Sequence, residues 1–407
     1  MIGRNIHRNG METERCPSCG SSEGNPVLHY RDVPAFLFPM PRKAAQEVIR
    51  SDIDLFGCAT CGHLFQQKVD QALLSTIYVH YYQYYPLDDH EALLPHYREP
   101  FQILFGLIAK TSPRLLGGRL LEIGCSKSEN MTCFLPYGFT CTGVDPSPMA
   151  QEEPLNREIR ILHGFYESIS LPEKMDVIVS RFSLEHVADL DLHLGKISSD
   201  LKDGGLVFLQ VPNVSYYLLN RQPFFIAHEH VHYFSLKSLC ALFQRFGMFP
   251  IAFYEENQPS IVACFRKDGP KVSIECMNLF EYLPAYQAAS LAKNREIRAI
   301  LATENRLVLY GSGLLAFWVL GETSPEELHK IILVDDHPKL WGRFVPSYGV
   351  EVKPPSVETF FGTPKVILSL NPFYHDEVIR RLLAFKVPCG VVTIDRDGVR
   401  QWDIDQV

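Results

Sequence analysis

The sequence predicts an α/β protein with two parallel-sheet domains in tandem, preceded by a small cysteine-bound subdomain. Three observations predict it. Apolar strands alternate with helix-length segments from Arg119 to Val211, and again from Arg306 to Ile394. Each series opens with a strand that breaks at a glycine turn, Gly124 in the first and Gly311-Ser312-Gly313 in the second. Two Cys-x-x-Cys pairs, Cys16/Cys19 and Cys58/Cys61, stand ahead of both series.

The stretch Arg119–Asp145 organises the first series. Leu120, Leu121 and Ile123 form an apolar run that ends at Gly124, and after a tight turn a helix-length segment begins. A second strand, Thr140–Val144, ends on Asp145, which makes this the opening βαβ unit of a nucleotide-binding sheet. An acid at that strand end can accept both hydroxyls of a ribose. Glu122 beside Gly124, in place of a phosphate-cradling glycine run, favours S-adenosylmethionine over a dinucleotide. The usual pattern is acid-x-Gly-x-Gly-x-Gly. Ser126 and Ser128 replace its second and third glycines, so side chains stand where the backbone normally comes closest to the cofactor. The competing reading is a βαβ unit that serves the fold alone. The candidate cofactor residues are Glu122, Gly124, Cys125, Ser126, Ser128 and Asp145, with Arg181 and Phe182 further on.

Length and composition set the frame. At 407 residues the chain can bury more than one core, and two or three domains are expected. The expected boundaries are 11–75, 76–270, a helical connector 271–300, and 301–407. Hydrophobic content of 46% and charged content of 21% are those of a soluble globular protein. A net charge of −8 argues against a protein built on nucleic-acid backbone contacts. No apolar run approaches the roughly 18 residues of a membrane span, so no membrane partner is expected. Met1–Gly10 is polar and lacks the apolar core of a secretion signal, and Met11 is an alternative start. Eleven cysteines, an odd number without the density of a disulfide scaffold, fit a reducing cytoplasm.

The N-terminal knuckles each carry a glycine after the second cysteine, Gly20 and Gly62. Cys16, Cys19, Cys58 and Cys61 therefore suit a tetrahedral four-thiolate zinc site, with a redox disulfide as the competitor. Four thiolates leave no open position, so the zinc is read as structural. The neighbouring His63 is expected to pack locally, and residues 20–57 to fill a small subdomain. Next comes a tyrosine-rich segment, Tyr78, Tyr81, Tyr82, Tyr84 and Tyr85, which suits either packing between domains or a lid of phenol donors. Asp88–Lys110 reads as an amphipathic helix.

After Asp145 come strands at Ile159–Leu162 and Met175–Ser180, then Arg181-Phe182 and Glu185-His186-Val187. Helix Asp189–Leu201 is expected to stop at Gly204-Gly205, ahead of strand Leu206–Val211. Glu185 and His186 are read equally as helix-start packing residues or reactive groups. His228-Glu229-His230-Val231-His232-Tyr233 follows a strand end, where sheets of this kind place their chemistry. Three alternating histidines can share one strand face and bind a metal, can pack, or can serve in acid–base catalysis. Helix Ser238–Phe246 and strands Phe249–Tyr254 and Ser260–Arg266 precede Lys271–Glu304, a long helical connector. In the last domain the Gly-Ser-Gly turn can present a helix N-terminus to a phosphate.

Taken together, these parts resemble the sugar C-methyltransferases that act on nucleotide-linked keto-sugars. The resemblance runs from Cys16 to about Ile394. It rests on the paired knuckles, the tyrosine segment, His228–Ser235 and the C-terminal motifs Tyr310-Gly-Ser-Gly, Asp336-x-Pro-Lys339, Gly342-Arg343-Phe344 and Asn371. It implies a class I methyltransferase Rossmann-like sheet flanked by the N-terminal zinc subdomain and a second Rossmann-like α/β domain. It also implies S-adenosylmethionine and structural zinc as cofactors, and a nucleotide-diphosphate sugar as substrate. His230 would be the base, with Glu229, Tyr233, His228 and a phenol such as Tyr82 beside it. Tyr310, Gly311, Ser312, Gly313, Asp336, Lys339, Arg343 and Asn371 would hold the substrate. Gln258-Pro259-Ser260 replaces the family's Gly-Gly-Ser element. The rivals are a methyltransferase for another small molecule and a silent binding protein. A monomer is expected, because three domains can already enclose a site.

Overall fold

Strand pairing sorts the chain into three sheets. The computed structural model describes residues 15–85, 100–151, 156–271 and 279–403, apart from positions 101, 111, 129, 257 and 387. Most of the expected helix Asp88–Lys110 lies outside the described residues, although residues 102–110 are helical.

The N-terminal sheet is antiparallel: β1 (Gly24–Pro34), β2 (Arg50–Cys58) and β3 (Leu64–Gln66) pair in sequence order. Its fourth strand, His232–Tyr233, comes from the central domain and pairs with β3 through Leu64↔Tyr233 and Phe65↔His232. The subdomain expected over 11–75 therefore completes its sheet with a borrowed strand. That strand leads straight into helix Leu236–Arg245, whose start is set by a capping box between Ser235 and Ser238. The first knuckle docks on the same helix, with Ser18 Oγ donating to the Ser238 carbonyl at 2.5 Å.

The central sheet holds β4 (Arg119–Ile123), β5 (Thr140–Asp145), β6 (Arg160–His163), β7 (Met175–Arg181) and β8 (Leu201–Pro212), all parallel. With the borrowed strand as β9, the hairpin β10 (Met248–Tyr254) and β11 (Ser260–Lys267) completes the order β6-β5-β4-β7-β8-β11-β10. The chain order reverses between β4 and β7, which opens a crevice at their carboxyl ends. Gly204-Gly205 lies within β8 rather than ahead of it, because helix Leu190–Asp200 already ends there and Gly204 turns the chain at φ +72°.

Two expectations are corrected. The segment after Gly124 forms two short 3₁₀ turns, Met131–Cys133 and Leu135–Tyr137, in place of a helix. Pro136 opens the second turn and Gly138 closes it at φ +80°, so too little chain remains for α-helical propagation. The connector Lys271–Glu304 is also more than a bridge. Its helix, Leu283–Thr303, buries Tyr286, Ile297, Ile300 and Leu301 in one core with Leu28 and Leu64 of the first sheet, Phe225 and Tyr233 of the central domain, and Leu307 and Leu333 of the last. Asn294 donates to Glu322 at 2.9 Å and accepts from Trp318 Nε1 at 3.1 Å, which satisfies the polar groups enclosed there.

The C-terminal sheet contains β12 (Leu307–Tyr310), β13 (Ile331–Val334), β14 (Val352–Lys353), β15 (Lys365–Leu368), β16 (Gly390–Ile394) and β17 (Val399–Asp403). Its order is β14-β13-β12-β15-β16-β17, parallel except for β17. Main-chain pairing of Met40 with Phe344 ties this domain to the first.

Because one core serves three domains, Ile297→Ala is expected to cost about 2–5 kcal/mol. Calorimetry should show the N-terminal, central and C-terminal parts still melting in a single transition at a lower temperature.

Candidate active site

The crevice begins with backbone strain. Gly124, Ser126 and Ser128 all have left-handed φ, at +76°, +48° and +69°. The two serines thus adopt the conformation that glycine would take without strain, at about 1–2 kcal/mol each. The close-approach turn survives its glycine-to-serine replacements. At Gly124 a side chain is also blocked by space, since a Cβ would stand 2.9 Å from Ser183 Cβ. Asp145 holds the turn: its Oδ2 accepts from Ser126 N and its Oδ1 from Ser147 N, both at 2.8 Å.

These residues fit S-adenosylmethionine. The hydroxyls of Ser126 and Ser128 are buried and have no partner among the described residues, as expected of groups awaiting a ligand. Each Asp145 oxygen keeps a lone pair beyond its backbone bond, and Glu122 is buried at the end of β4. Cys125 is different: its side chain packs into the core against Gly143, where a Cβ would come 2.4 Å from its sulfur. Arg181 is buried, with Nε donating to Gln210 at 2.8 Å, whereas Phe182 stands 39% exposed at the strand end.

Beside this turn lies a cluster of acids and imidazoles. Glu185 and His186 leave β7 in a 3₁₀ turn, and Glu229 and His230 come from the loop before β9. Ligand atoms of Glu185, His186 and His230 all lie within 4.8 Å of one another. His186 Nδ1 bonds the Glu229 carbonyl at 2.8 Å, so that nitrogen carries the hydrogen and Nε2 presents a lone pair. That Nε2 is 3.9 Å from Glu185 Oε1, and the rings of His186 and His230 meet edge to face at 4.9 Å.

Burial drives the electrostatics. It pushes Glu185 up to about 8 and Glu229 up to about 7, because neither charge is solvated. It also lowers His186 to about 4 and His230 well below the usual imidazole range, the second helped by repulsion from His186. Near neutrality both imidazoles are bases and both acids hold protons part of the time. Among the described residues neither Glu185 oxygen has a hydrogen-bond partner, and the same is true of Glu229 Oε2 and the Tyr78 hydroxyl. A carboxylate with two imidazoles can shuttle protons or coordinate a divalent cation.

The tyrosine segment divides its labour. Tyr78 and Tyr82 lie near the glutamates; burial raises both phenols, and nearby groups that include Glu229 and Glu185 add to it. Tyr81 and Tyr85 pack on Phe36 and Phe38. A π-helical turn at Ile77–Tyr81 turns Tyr78 toward the site.

The alternating histidines do not share a face. His228 Nε2 bonds the Val33 carbonyl at 3.0 Å, because its loop lies against β1, so this side chain leaves the catalytic set. His232 lies between His63, at 3.1 Å, and the Val187 carbonyl, at 2.9 Å. The Tyr233 hydroxyl bonds the main chain of Ala227 in both directions at 3.2 Å, so it braces the loop rather than facing a reactant. Sequence reasoning rated Tyr78 no higher than its neighbours and missed Gln66, whose amide reaches this loop. A glutamine carries no motif.

The four cysteines converge. Cys16–Cys61 and Cys19–Cys58 sulfurs are 3.7 and 3.6 Å apart, near the spacing of about 3.8 Å that tetrahedral Zn–S bonds of 2.3 Å impose. The donor set fits structural zinc.

In the C-terminal domain Asp335 repeats the role of Asp145. It accepts from Ser312 N and Oγ at 2.8 Å and from His337 N at 2.9 Å. Gly311 has φ +100°, and Gly313 caps helix Leu314–Gly321. Asp336 pairs instead with the Tyr310 hydroxyl and Arg381, while Lys339 and Asn371 lie at the surface. Arg343 donates to the Tyr84 carbonyl at 2.7 Å and so braces the tyrosine segment.

Comparison with known proteins places this geometry. Residues 94–249 match the family model described as a methyltransferase domain. That match falls on the central domain with its mixed α/β Rossmann-like sheet. The C-methyltransferase NovU of Streptomyces niveus is 25% identical over 252 residues, 58% of this chain and 56% of that protein. A ubiquinone biosynthesis O-methyltransferase of Chelativorans sp. (strain BNC1) is 29% identical over 133 residues, 30% of this chain and 50% of that protein. The chain thus spans about half the length of these relatives. Among solved structures, the 1,6-didemethyltoxoflavin-N1-methyltransferase of Burkholderia thailandensis is 15% identical with a TM-score of 0.38, covering 51% of this chain and 96% of that one. No helix among the described residues is long and apolar enough to cross a membrane.

Two outcomes follow. Glu185 has its pKa raised on folding, so the folded state holds a proton that the unfolded chain releases. Stability then falls as pH rises from about 4.5 to about 8. Glu185→Gln should remove that loss, with a gain on the order of 1–3 kcal/mol at pH 8 and little at pH 4, read by denaturant unfolding. Chelation should release one zinc per chain by elemental analysis and lower the melting temperature.

Proposed function

We propose that the protein transfers a methyl group from S-adenosylmethionine to a carbon beside the keto group of a nucleotide-diphosphate sugar. The observation that carries this reading is the pair of neutral imidazoles, His186 and His230, held beside two buried glutamates at the mouth of the β4–β7 crevice. O- and N-methylation of a hydroxyl or amine also need a base. What favours carbon is the likeness to NovU, which extends over 252 residues, whereas the O-methyltransferase likeness covers 30% of the chain.

Gly124, Ser126, Ser128, Asp145 and Glu122 would hold the cofactor, which supplies an electrophilic methyl carbon. His230, close to His186, takes the proton from the carbon next to the ketone, and such a base contributes roughly 10²–10⁴-fold in rate. His186 presents its Nε2 lone pair to the same space and can pass the proton toward Glu185, 3.9 Å away. Tyr78, whose hydroxyl is buried and has no partner among the described residues, donates to the developing enolate oxygen in place of Tyr233. In the C-terminal domain the turn Gly311–Gly313 opens the helix Leu314–Gly321, whose N-terminus suits the diphosphate. Ser312 is committed to Asp335, which leaves that task to the neighbouring main-chain N–H groups.

The test is methyl transfer from labelled S-adenosylmethionine to dTDP- and UDP-linked keto-sugars, with cofactor binding measured by calorimetry. His230→Asn should lower turnover at least 100-fold with cofactor affinity within about twofold, and Asp145→Ala should weaken cofactor binding about tenfold or more. Transfer to a phenol or an amine, with none to a keto-sugar, would overturn the carbon assignment.

A further inference from the structure

We propose that Gln66, a residue of the N-terminal sheet, is the positioning residue for the active-site loop, holding His230 and Glu229 in their working orientation. This rests on the methyltransferase reading of the same site. Gln66 ends β3, the strand that starts just past Cys61 of the second knuckle. Its side-chain amide donates to the carbonyls of His228 at 2.9 Å and His230 at 2.8 Å, with a longer contact to that of Ala227 at 3.3 Å. Its main-chain N–H donates to the Val231 carbonyl at 2.9 Å. The one carbonyl left in this run, that of Glu229, accepts from His186 Nδ1.

Every carbonyl from Ala227 to Val231 is therefore engaged, and all but one of them by Gln66. With the carbonyls pinned, the peptide planes cannot rotate, and the side chains between them are aimed by default. Glu229 turns its carboxyl toward Tyr78 and Tyr82, and His230 turns its ring onto His186. An amide is the side chain suited to this task, since it brings two N–H donors at one nitrogen without a charge. Gln66 is only 9% exposed, so water cannot replace it. The four-cysteine subdomain thus acts on the chemistry through one side chain, by fixing the loop from outside the central domain.

The protein carrying Gln66→Leu or Gln66→Glu tests this. Gln66→Leu should lower kcat for methyl transfer to a dTDP-linked keto-sugar at least tenfold, with the KM for S-adenosylmethionine unchanged. Gln66→Glu is the sharper probe. Protonated, its carboxyl can still donate to one carbonyl; ionised, it faces them with negative charge. Its kcat should fall at high pH along a limb that the parent protein lacks. An unaltered pH profile for Gln66→Glu, or a parent-like kcat for Gln66→Leu, would overturn the proposal. If Gln66→Leu does not fold, Gln66→Glu at low pH decides alone. Ring-proton NMR of His186 and His230 keeps the two readings apart. If the parent transfers no methyl group at all, the proposed function fails, while shifted His230 resonances in Gln66→Glu would still support the clamp. Unshifted resonances would sink it.

Discussion

The short pairing of β3 with His232–Tyr233 is the constraint on which the active site depends. Two residues of strand are weak alone, but they are flanked by the Gln66 contacts, the His63–His232 bond and the capping box at Ser235. Each fixes a different atom of the same segment. The loop from Ala227 to Val231 has no regular structure of its own and yet no slack. Precision of this kind comes from a supporting shell rather than from the reactive residues. The four converging cysteines lie against the same sheet, since Cys58 ends β2 and Cys61 stands three residues before β3.

A second device appears twice. Asp145 ends β5 and Asp335 directly follows β13, and each accepts from a turn N–H and from the N–H two residues further along the chain. The acid ties the glycine turn to the neighbouring strand end before any ligand arrives. In the central domain this offsets the strain of two serines in left-handed conformations, which a free loop would relax. A strand-end acid in such a sheet is therefore part of the turn's own support as well as a partner for a ribose.

The site stores electrostatic cost. Two glutamates and two histidines are removed from water with few partners, so the acids are pushed up and the bases down until their usual order inverts. Folding would favour neutral replacements at Glu185 and Glu229. With that order protons rest on the acids while both imidazoles stay free to accept one, an arrangement suited to general-base chemistry.

Much of this was legible in the chain. The alternating strands, the two glycine turns, the acid at Asp145 and the cysteine spacing follow from local pattern, because period, turn chemistry and ligand geometry act over a few residues. Local pattern could not say which face each histidine of the His228–His232 run presents. That depended on β3 arriving from residues far upstream, which sent His228 to Val33, His232 to His63, and left His230 with His186. Nor could it single out Tyr78, Glu185 or Gln66, whose roles come from burial and from what meets them. The sequence by itself determined the two βα sheets, their glycine turns and the set of reactive residue types. Only the tertiary structure decided which of those residues face one another, because long-range packing, not spacing, sets which polar atoms are buried together.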